Sequence, residues 1–207
     1  MQAETKVFLL ALFFIFLERM IEMMEHKGTK QLETQRLILR RARAEDAKPM
    51  YDNWASDPDV TTYLTWPIHG SVDVSSAVIE SWIECYEQIN YYQWMIVLKE
   101  INEPIGSISV VSQNDRVQKA EIGYCIGKSW WHQGIMSEAL KAVMDYLFDE
   151  VGMNRLEAKH DPRNPHSGGV MKKCGMKYEG TTRQSEWNNQ GLCDVCHYSM
   201  LASERVK

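Results

Sequence analysis

The stretch from Trp130 to Leu140, W-W-H-Q-G-I-M-S-E-A-L, sets Gly134 between a strand-like run and a strongly periodic helix. A loop of this kind presents backbone N–H groups and the positive end of a helix dipole, which suits a bound anion such as a phosphate. By itself the pattern serves a plain connection equally well. A second pattern lies downstream, Asn164-Pro165-His166-Ser167 followed by V-M-K-K-C-G-M from Val170 to Met176. Asn as N-cap and Pro at the first helical position open a short helix, and Gly175 closes it. A third, Cys193-Asp194-Val195-Cys196-His197, has the C-x-x-C-H spacing of covalent haem attachment.

These residues need a scaffold, and the hydrophobic periodicity supplies one. Residues 35–41 alternate and form a first strand with Leu37 and Leu39 on one face. Residues 44–55 read as a helix with Glu45 and Asp46 in its first turn, ended by Asp57-Pro58. After a loop at 63–67, residues 71–88 carry Val74, Val78, Trp82 and Tyr86 at helical spacing. Strands follow at 94–98 and 105–111, joined by a turn at Asn102-Glu103-Pro104, and at 121–126, which leads into the Gly134 loop. Met136, Leu140, Val143, Met144, Leu147, Phe148 and Val151 mark one buried stripe of the next helix, up to Gly152. A strand at 155–159, a helix at 165–174 and strands at 177–185 and 194–201 complete a mixed sheet with helices on both faces. On the last strand, positions 193 and 196 point to opposite faces, which argues against a shared haem or zinc ion.

Taken together, A-E-I-G-Y-C-I-G from Ala120 to Gly127, the Gly134 loop and the segment from Asn164 to Met176 resemble the GNAT superfamily of acyl-CoA-dependent N-acetyltransferases. More narrowly they are similar to the branch that acetylates the N-termini of ribosomal proteins, and the resemblance runs from about Gln31 to Ser203. It implies an α/β (α+β) GNAT fold with a mixed central sheet of about six or seven strands and helices on both faces. It also implies acetyl-CoA as cosubstrate, with no metal. Coenzyme A would lie where the strands at 121–126 and 155–159 splay apart. Its pantetheine would pair with backbone groups near Tyr124 and Ile126, as an added strand does. Its pyrophosphate would sit on the amides of His132, Gln133, Gly134, Ile135, Met136 and Ser137, with Asn164 close by.

The same resemblance assigns Ser167 to the departing thiolate and Glu121 to the amine's proton, directly or through water. A strand-end carboxylate in a surface ion pair is an equal reading of Glu121. The implied chemistry is direct attack by a neutral amine within a ternary complex, with backbone N–H near Tyr124–Ile126 polarising the carbonyl. Cys125 belongs to the core rather than to a covalent mechanism. Aromatic residues Trp54, Tyr63, Trp66 and Trp94 are the substrate-side candidates, Trp66 first because it precedes Pro67 in a loop. Three positions depart from the wider superfamily pattern. Trp131, His132 and Met136 stand where Arg or Gln, then Gly, and later Gly or Ala are preferred, and a non-glycine matters there only if positive φ is required. Gly168-Gly169 also departs, since a basic residue is frequent at the second position, which puts a 3′-phosphate contact from there in doubt.

Composition sets wider bounds. A chain of 207 residues with 44% hydrophobic and 25% charged residues suffices for one globular domain. A net charge of −5 without a basic stripe argues against nucleic acid as a partner. Residues 7–17 form an unbroken apolar run, too short to span a bilayer as a helix and closer to a signal-peptide core. Only Lys6 precedes it against Glu4, and no small-x-small cleavage site follows. We therefore expect an apolar extension over 1–30 outside a catalytic domain at 31–207, with a membrane anchor or a partner-packed helix as alternatives. The five cysteines, odd in number and scattered, suit reduced thiols in a cytoplasmic protein. Expected partners are an amine substrate, a ribosomal-protein N-terminus foremost, with neither nucleic acid nor membrane, and a homo-oligomer is left open. Competing functions are acetylation of a small-molecule amine or antibiotic, acyl-CoA binding without turnover, and an exported c-type haem protein using Cys193, Cys196 and His197.

Overall fold

The computed structural model describes residues 24–205, so the apolar run at 7–17 lies outside the described residues. Eight strands, β1 (Leu32–Glu33), β2 (Leu37–Arg40), β3 (Gln93–Leu98), β4 (Glu103–Asn114), β5 (Lys119–Ile126), β6 (Arg155–His160), β7 (Lys177–Asn188) and β8 (Gly191–Leu201), form one sheet. Its order is β1-β2-β3-β4-β5-β6-β8-β7, and every neighbouring pair is antiparallel except β5 and β6. The fold is the expected mixed α/β sheet with slightly more strands than expected. The addition is β1, whose two residues are too few to show a period in sequence.

Alternation along the strands sorts side chains between two layers. Leu37 and Leu39 of β2, Ala120 and Ile122 of β5, and Leu156 and Ala158 of β6 pack against a long helix, α4 (Ile135–Asp149), which follows α1 (Ala47–Met50), α2 (Pro58–Thr61) and α3 (Val72–Cys85) in the chain. All seven stripe residues expected on this helix, Met136 through Val151, are buried. The opposite face is covered over β2 to β4 by α1, α2 and α3, which enclose Trp54, Ile79, Met95 and Val97. Farther along that face, Lys119, Glu121, Glu157 and Lys159 of β5 and β6 pair with one another and stay partly exposed.

Several local expectations change. The helix at 44–55 is a 3-10 turn, Ala44–Asp46, then α1, then a π-helical turn, Tyr51–Ala55. Pro49 has no N–H to continue a regular ladder. The buried Asp46 fixes the start of this segment by accepting from the Arg43 backbone N–H at 2.8 Å and pairing with Arg40 at 2.7 and 2.8 Å. Asp57-Pro58 starts α2 as well as ending the preceding turn, the Asp57 carboxylate capping the Asp59 N–H at 2.8 Å. Pro104 lies inside β4 beside a register shift rather than in a turn. The described part of the expected extension is tied to the sheet. Thr29 is 3% exposed and its hydroxyl joins the Tyr91 carbonyl to the Gln93 N–H at the start of β3, Tyr146 of α4 donates to the Gly28 carbonyl at 2.7 Å, and the Trp94 indole donates to that of Lys30 at 2.6 Å.

Candidate active site at the splay between two parallel strands

Parallel strands β5 and β6 pair only at Lys119–Arg155, Ala120–Leu156 and Glu121–Glu157. Beyond Glu121 they part, because β6 continues along β8 as far as His160–Cys196 while β5 continues along β4 as far as Ile126–Gly106. The backbone facing the gap follows from the antiparallel ladder. Gly127 N–H donates to Ile105 C=O at 2.9 Å, so by alternation Ile126, Tyr124 and Ile122 turn their own N–H and C=O away from β4 and into the splay. Two of these groups are already used, the Ile122 N–H by Glu157 across the last β5–β6 pair and the Ile126 carbonyl by the Trp131 indole N–H at 2.9 Å. Those of Tyr124, with the Ile126 N–H, are where an extended amide chain would add as a strand.

The Gly134 loop closes one end of this gap. Gly134 is the N-cap of α4 with φ +74°, and His132 has φ +61°, so the loop does require left-handed backbone at the position where a glycine is preferred in the wider superfamily. Histidine is among the non-glycine residues that enter this region most readily. The loop amides from His132 to Ser137 lead into the first turn of α4, and Ser137 is 9% exposed. Glu138 fixes that turn. Its carboxylate accepts from the Thr34 hydroxyl at 2.6 Å, the Arg36 backbone at 2.9 Å and the Arg36 guanidinium at 2.7 Å, while Arg36 also donates to the Gln133 carbonyl at 3.0 Å.

Two cations gather at the glycine. A Cβ on Gly134 would stand 3.2 Å from the Lys173 ammonium and 3.8 Å from the Arg36 guanidinium. Loop amides, a helix N-terminus and two basic side chains around a residue with no side chain fit a pyrophosphate. Arg36 and Lys173 were missed in sequence because they come from distant segments. Lys173 at least has a legible place, the last turn of the second short helix.

That helix, α5 (Pro165–Lys173), forms the other wall. Asn164 caps it, its side-chain oxygen accepting from the Ser167 N–H at 3.4 Å, and its own N–H donates to the Asp161 carbonyl at 2.8 Å. Ser167 faces β5, where the Tyr124 hydroxyl lies 3.0 Å from the Ser167 carbonyl and 3.2 Å from Oγ. Burial pushes the Tyr124 phenol above its ordinary pKa. His166 meets His132 edge to face, ring centroids 4.5 Å apart, so the two walls touch at the loop. The paired glycines differ in kind: a Cβ on Gly168 would meet His160 Nε2 at 2.5 Å, whereas Gly169 has open space.

Glu121 projects from the opposite face of β5, at the last pair before the splay. Its carboxylate lies 3.2 Å from the Lys159 ammonium, which also holds Glu186 at 2.8 Å. Ser167 and Glu121 therefore flank the gap from its two sides. Of the aromatic candidates, Trp54 and Trp94 are fully buried and offer no surface to a substrate, a correction that follows from their place in the two core layers. Tyr63 lies under the Arg163 guanidinium at 5.8 Å, and Trp66 is half-buried against His69 at 5.3 Å. The hairpin between β7 and β8 reaches this loop. Asn189 donates through its side-chain amide to the Thr61 and Trp66 carbonyls at 2.8 Å and through its backbone to Leu64 at 3.0 Å.

The cysteine motif does not converge. Cys193 is 6% exposed with Sγ donating to the Glu186 carbonyl at 3.5 Å, and Cys196 contacts the Thr181 hydroxyl at 3.2 Å. Among the described residues no cluster of three or more His, Cys, Asp and Glu could hold a metal ion, and no helix is long and apolar enough to cross a membrane.

Comparison with known proteins agrees with this geometry. Residues 36–177 match the model of the acetyltransferase (GNAT) domain. The chain is 34% identical over 175 residues to N-acetyltransferase p20 of Bacillus licheniformis, covering 84% of this chain and 97% of that one. It is 32% identical over 114 residues to the ribosomal-protein-serine acetyltransferase of Escherichia coli, covering 55% and 63% of the two chains. Among solved structures, the microcin C7 self-immunity acetyltransferase MccE in complex with acetyl-CoA and AMP shares the fold, with a TM-score of 0.74 at 20% identity over 81% of this chain and 93% of that one. The chain therefore belongs to the GNAT acetyltransferase family and is an acetyl-CoA-dependent N-acetyltransferase.

Proposed function

We propose that the acceptor is a protein N-terminal α-amine of the ribosomal-protein type, acetylated in the cytoplasm. The observation that carries this reading is the Lys159 ammonium 3.2 Å from the Glu121 carboxylate. A carboxylate already held in an ion pair gives limited help in removing a proton, so an acceptor that arrives substantially neutral is favoured. An α-amine has a pKa of about 7.7–8.0 and a lysine about 10.4, so at pH 7.5 roughly a third of the first is neutral against about 0.1% of the second. The name of the Escherichia coli relative is in keeping with such an acceptor.

Acetyl-CoA brings an acetyl thioester, and the chain's own groups do the rest. The Tyr124 and Ile126 peptides align the donor and present N–H to the carbonyl oxygen, where negative charge grows during attack. The amides from His132 to Ser137, with Arg36 and Lys173, hold the phosphates. Glu121, directly or through water, takes the proton the amine loses, and Ser167 meets the sulfur on the other side. Tyr63 and Trp66 line the acceptor's approach, which Asn189 bounds.

The test is acetyl transfer to peptides with a free N-terminus and no lysine, compared with N-terminally blocked peptides containing lysine and with small amines, read by mass. The expected result is modification of the α-amine with kcat/KM at least tenfold above the others at pH 7.5. Equal or faster acetylation of lysine or a small amine overturns the proposal.

A further inference from the structure

We propose that Tyr124 is a positioning residue that aims the Ser167 hydroxyl at the departing thiolate, an inference that rests on the assignment of Ser167 above. The Tyr124 hydroxyl is 3.0 Å from the Ser167 carbonyl and 3.2 Å from Ser167 Oγ, yet it has one proton for the two. The carbonyl can only accept. When the phenol donates to it, the Ser167 hydroxyl is free to turn its proton onto the phenol oxygen, away from the cleft. When the phenol donates to Oγ instead, that hydrogen bond is taken and the Ser167 proton turns toward the gap.

Thiolate formation selects the second arrangement. As the amine nitrogen bonds the acetyl carbon and the carbon–sulfur bond breaks, the bonding pair leaves on sulfur. Ser167 O–H then donates to that sulfur, and Tyr124 O–H swings from the carbonyl to Oγ. Each donor in this short chain polarises the next. Tyr124 does not lose its proton, because a phenol raised by burial above its usual value of about 10 holds it more firmly than a thiol of pKa about 8.5. The proton given up by the amine, carried by Glu121 or water, balances the charge left on sulfur. Tyr124 reaches Ser167 because residue 124 lies past the last β5–β6 pair, on the face of β5 that α5 covers.

Tyr124→Phe keeps the ring and removes only the hydroxyl. The experiment measures thiol released from acetyl-CoA by wild type, Y124F, S167A, the double variant, S167T and Y124F/S167T, with an N-terminal peptide and with water alone as acceptor. Acetyl-CoA binding is followed by titration calorimetry and folding by thermal melt. We expect Y124F to lower kcat about tenfold with Kd for acetyl-CoA changed less than about twofold, the pattern of an interaction made only in the transition state. We expect no further loss when Y124F is added to S167A, and a return of the Tyr124 effect in S167T, which restores a hydroxyl. Multiplying losses in the double variant, or wild-type kcat in Y124F, overturn the inference. A slow Y124F beside an unaffected S167A overturns the Ser167 assignment as well, and activity with water but not with peptide overturns only the proposed acceptor.

Discussion

The two glycines in the first half of α5 are adjacent and chemically identical, and the structure predicts opposite signs for filling them. Glycine within a helix costs about 1 kcal/mol relative to alanine, so Gly169→Ala, with nothing within 4 Å of the new methyl, should gain about that amount. Gly168→Ala has the same backbone gain but places its Cβ 2.5 Å from His160 Nε2 and 2.9 Å from Cε1. That imidazole has little freedom to retreat. Its Nδ1 is 2.8 Å from the Asp161 carbonyl, and its ring centroid is 5.6 Å from that of Tyr198. Overpacking of this kind costs about 1–3 kcal/mol, which leaves Gly168→Ala destabilised by roughly 1 kcal/mol net and separates the variants by about 2 kcal/mol. Urea unfolding followed by circular dichroism measures this, as a difference between midpoints of about 1 M at unchanged slope for a slope of about 2 kcal/mol/M. If both variants gained stability equally, His160 would be free to move and the close approach of α5 to β6 would not depend on the missing side chain.

Asp161 is buried, and hydrogen bonds from Arg163 hold its carboxyl at about 2, below the ordinary 3.8. Since the folded value is depressed, its contribution is fully present above about pH 4 and is lost as pH falls through about 2; at roughly 1.4 kcal/mol per unit it amounts to about 2 kcal/mol. Asp161→Asn should therefore flatten the stability profile between those limits in acid unfolding, and an unchanged slope would contradict the assignment. His132→Gly should keep coenzyme A affinity within about threefold and leave the melting temperature equal or slightly higher, because the backbone rather than the imidazole binds and the φ of +61° suits glycine. A large loss of affinity by calorimetry would instead give the His132 side chain, with its His166 contact, a direct part in binding.

The legibility of the site followed the range of the interactions. The helix stripe from Met136 to Val151 was readable because packing on one sheet face imposes a period on neighbours in sequence. The Gly134 loop and the Asn164 cap were readable for a related reason, since backbone conformation and capping are settled within a few residues. Trp54 and Trp94 were misplaced at the substrate because an aromatic residue looks the same in a core and on a wall, and only burial separates them.

The sequence by itself determined the family, the acetyl donor, the mixed sheet and the local elements that carry the site. Only the tertiary structure decided what those elements meet: that Lys159 occupies Glu121, that Lys173 and Arg36 close on Gly134, and that Tyr124 reaches Ser167. It also decided where the strands part, a consequence of β5 following β4 and β6 following β8. The side-chain contacts among these join residues from about 40 to about 100 apart, and pairing at such separations leaves no period or spacing in the chain, because it is selected by the global packing of the sheet rather than by local backbone preference.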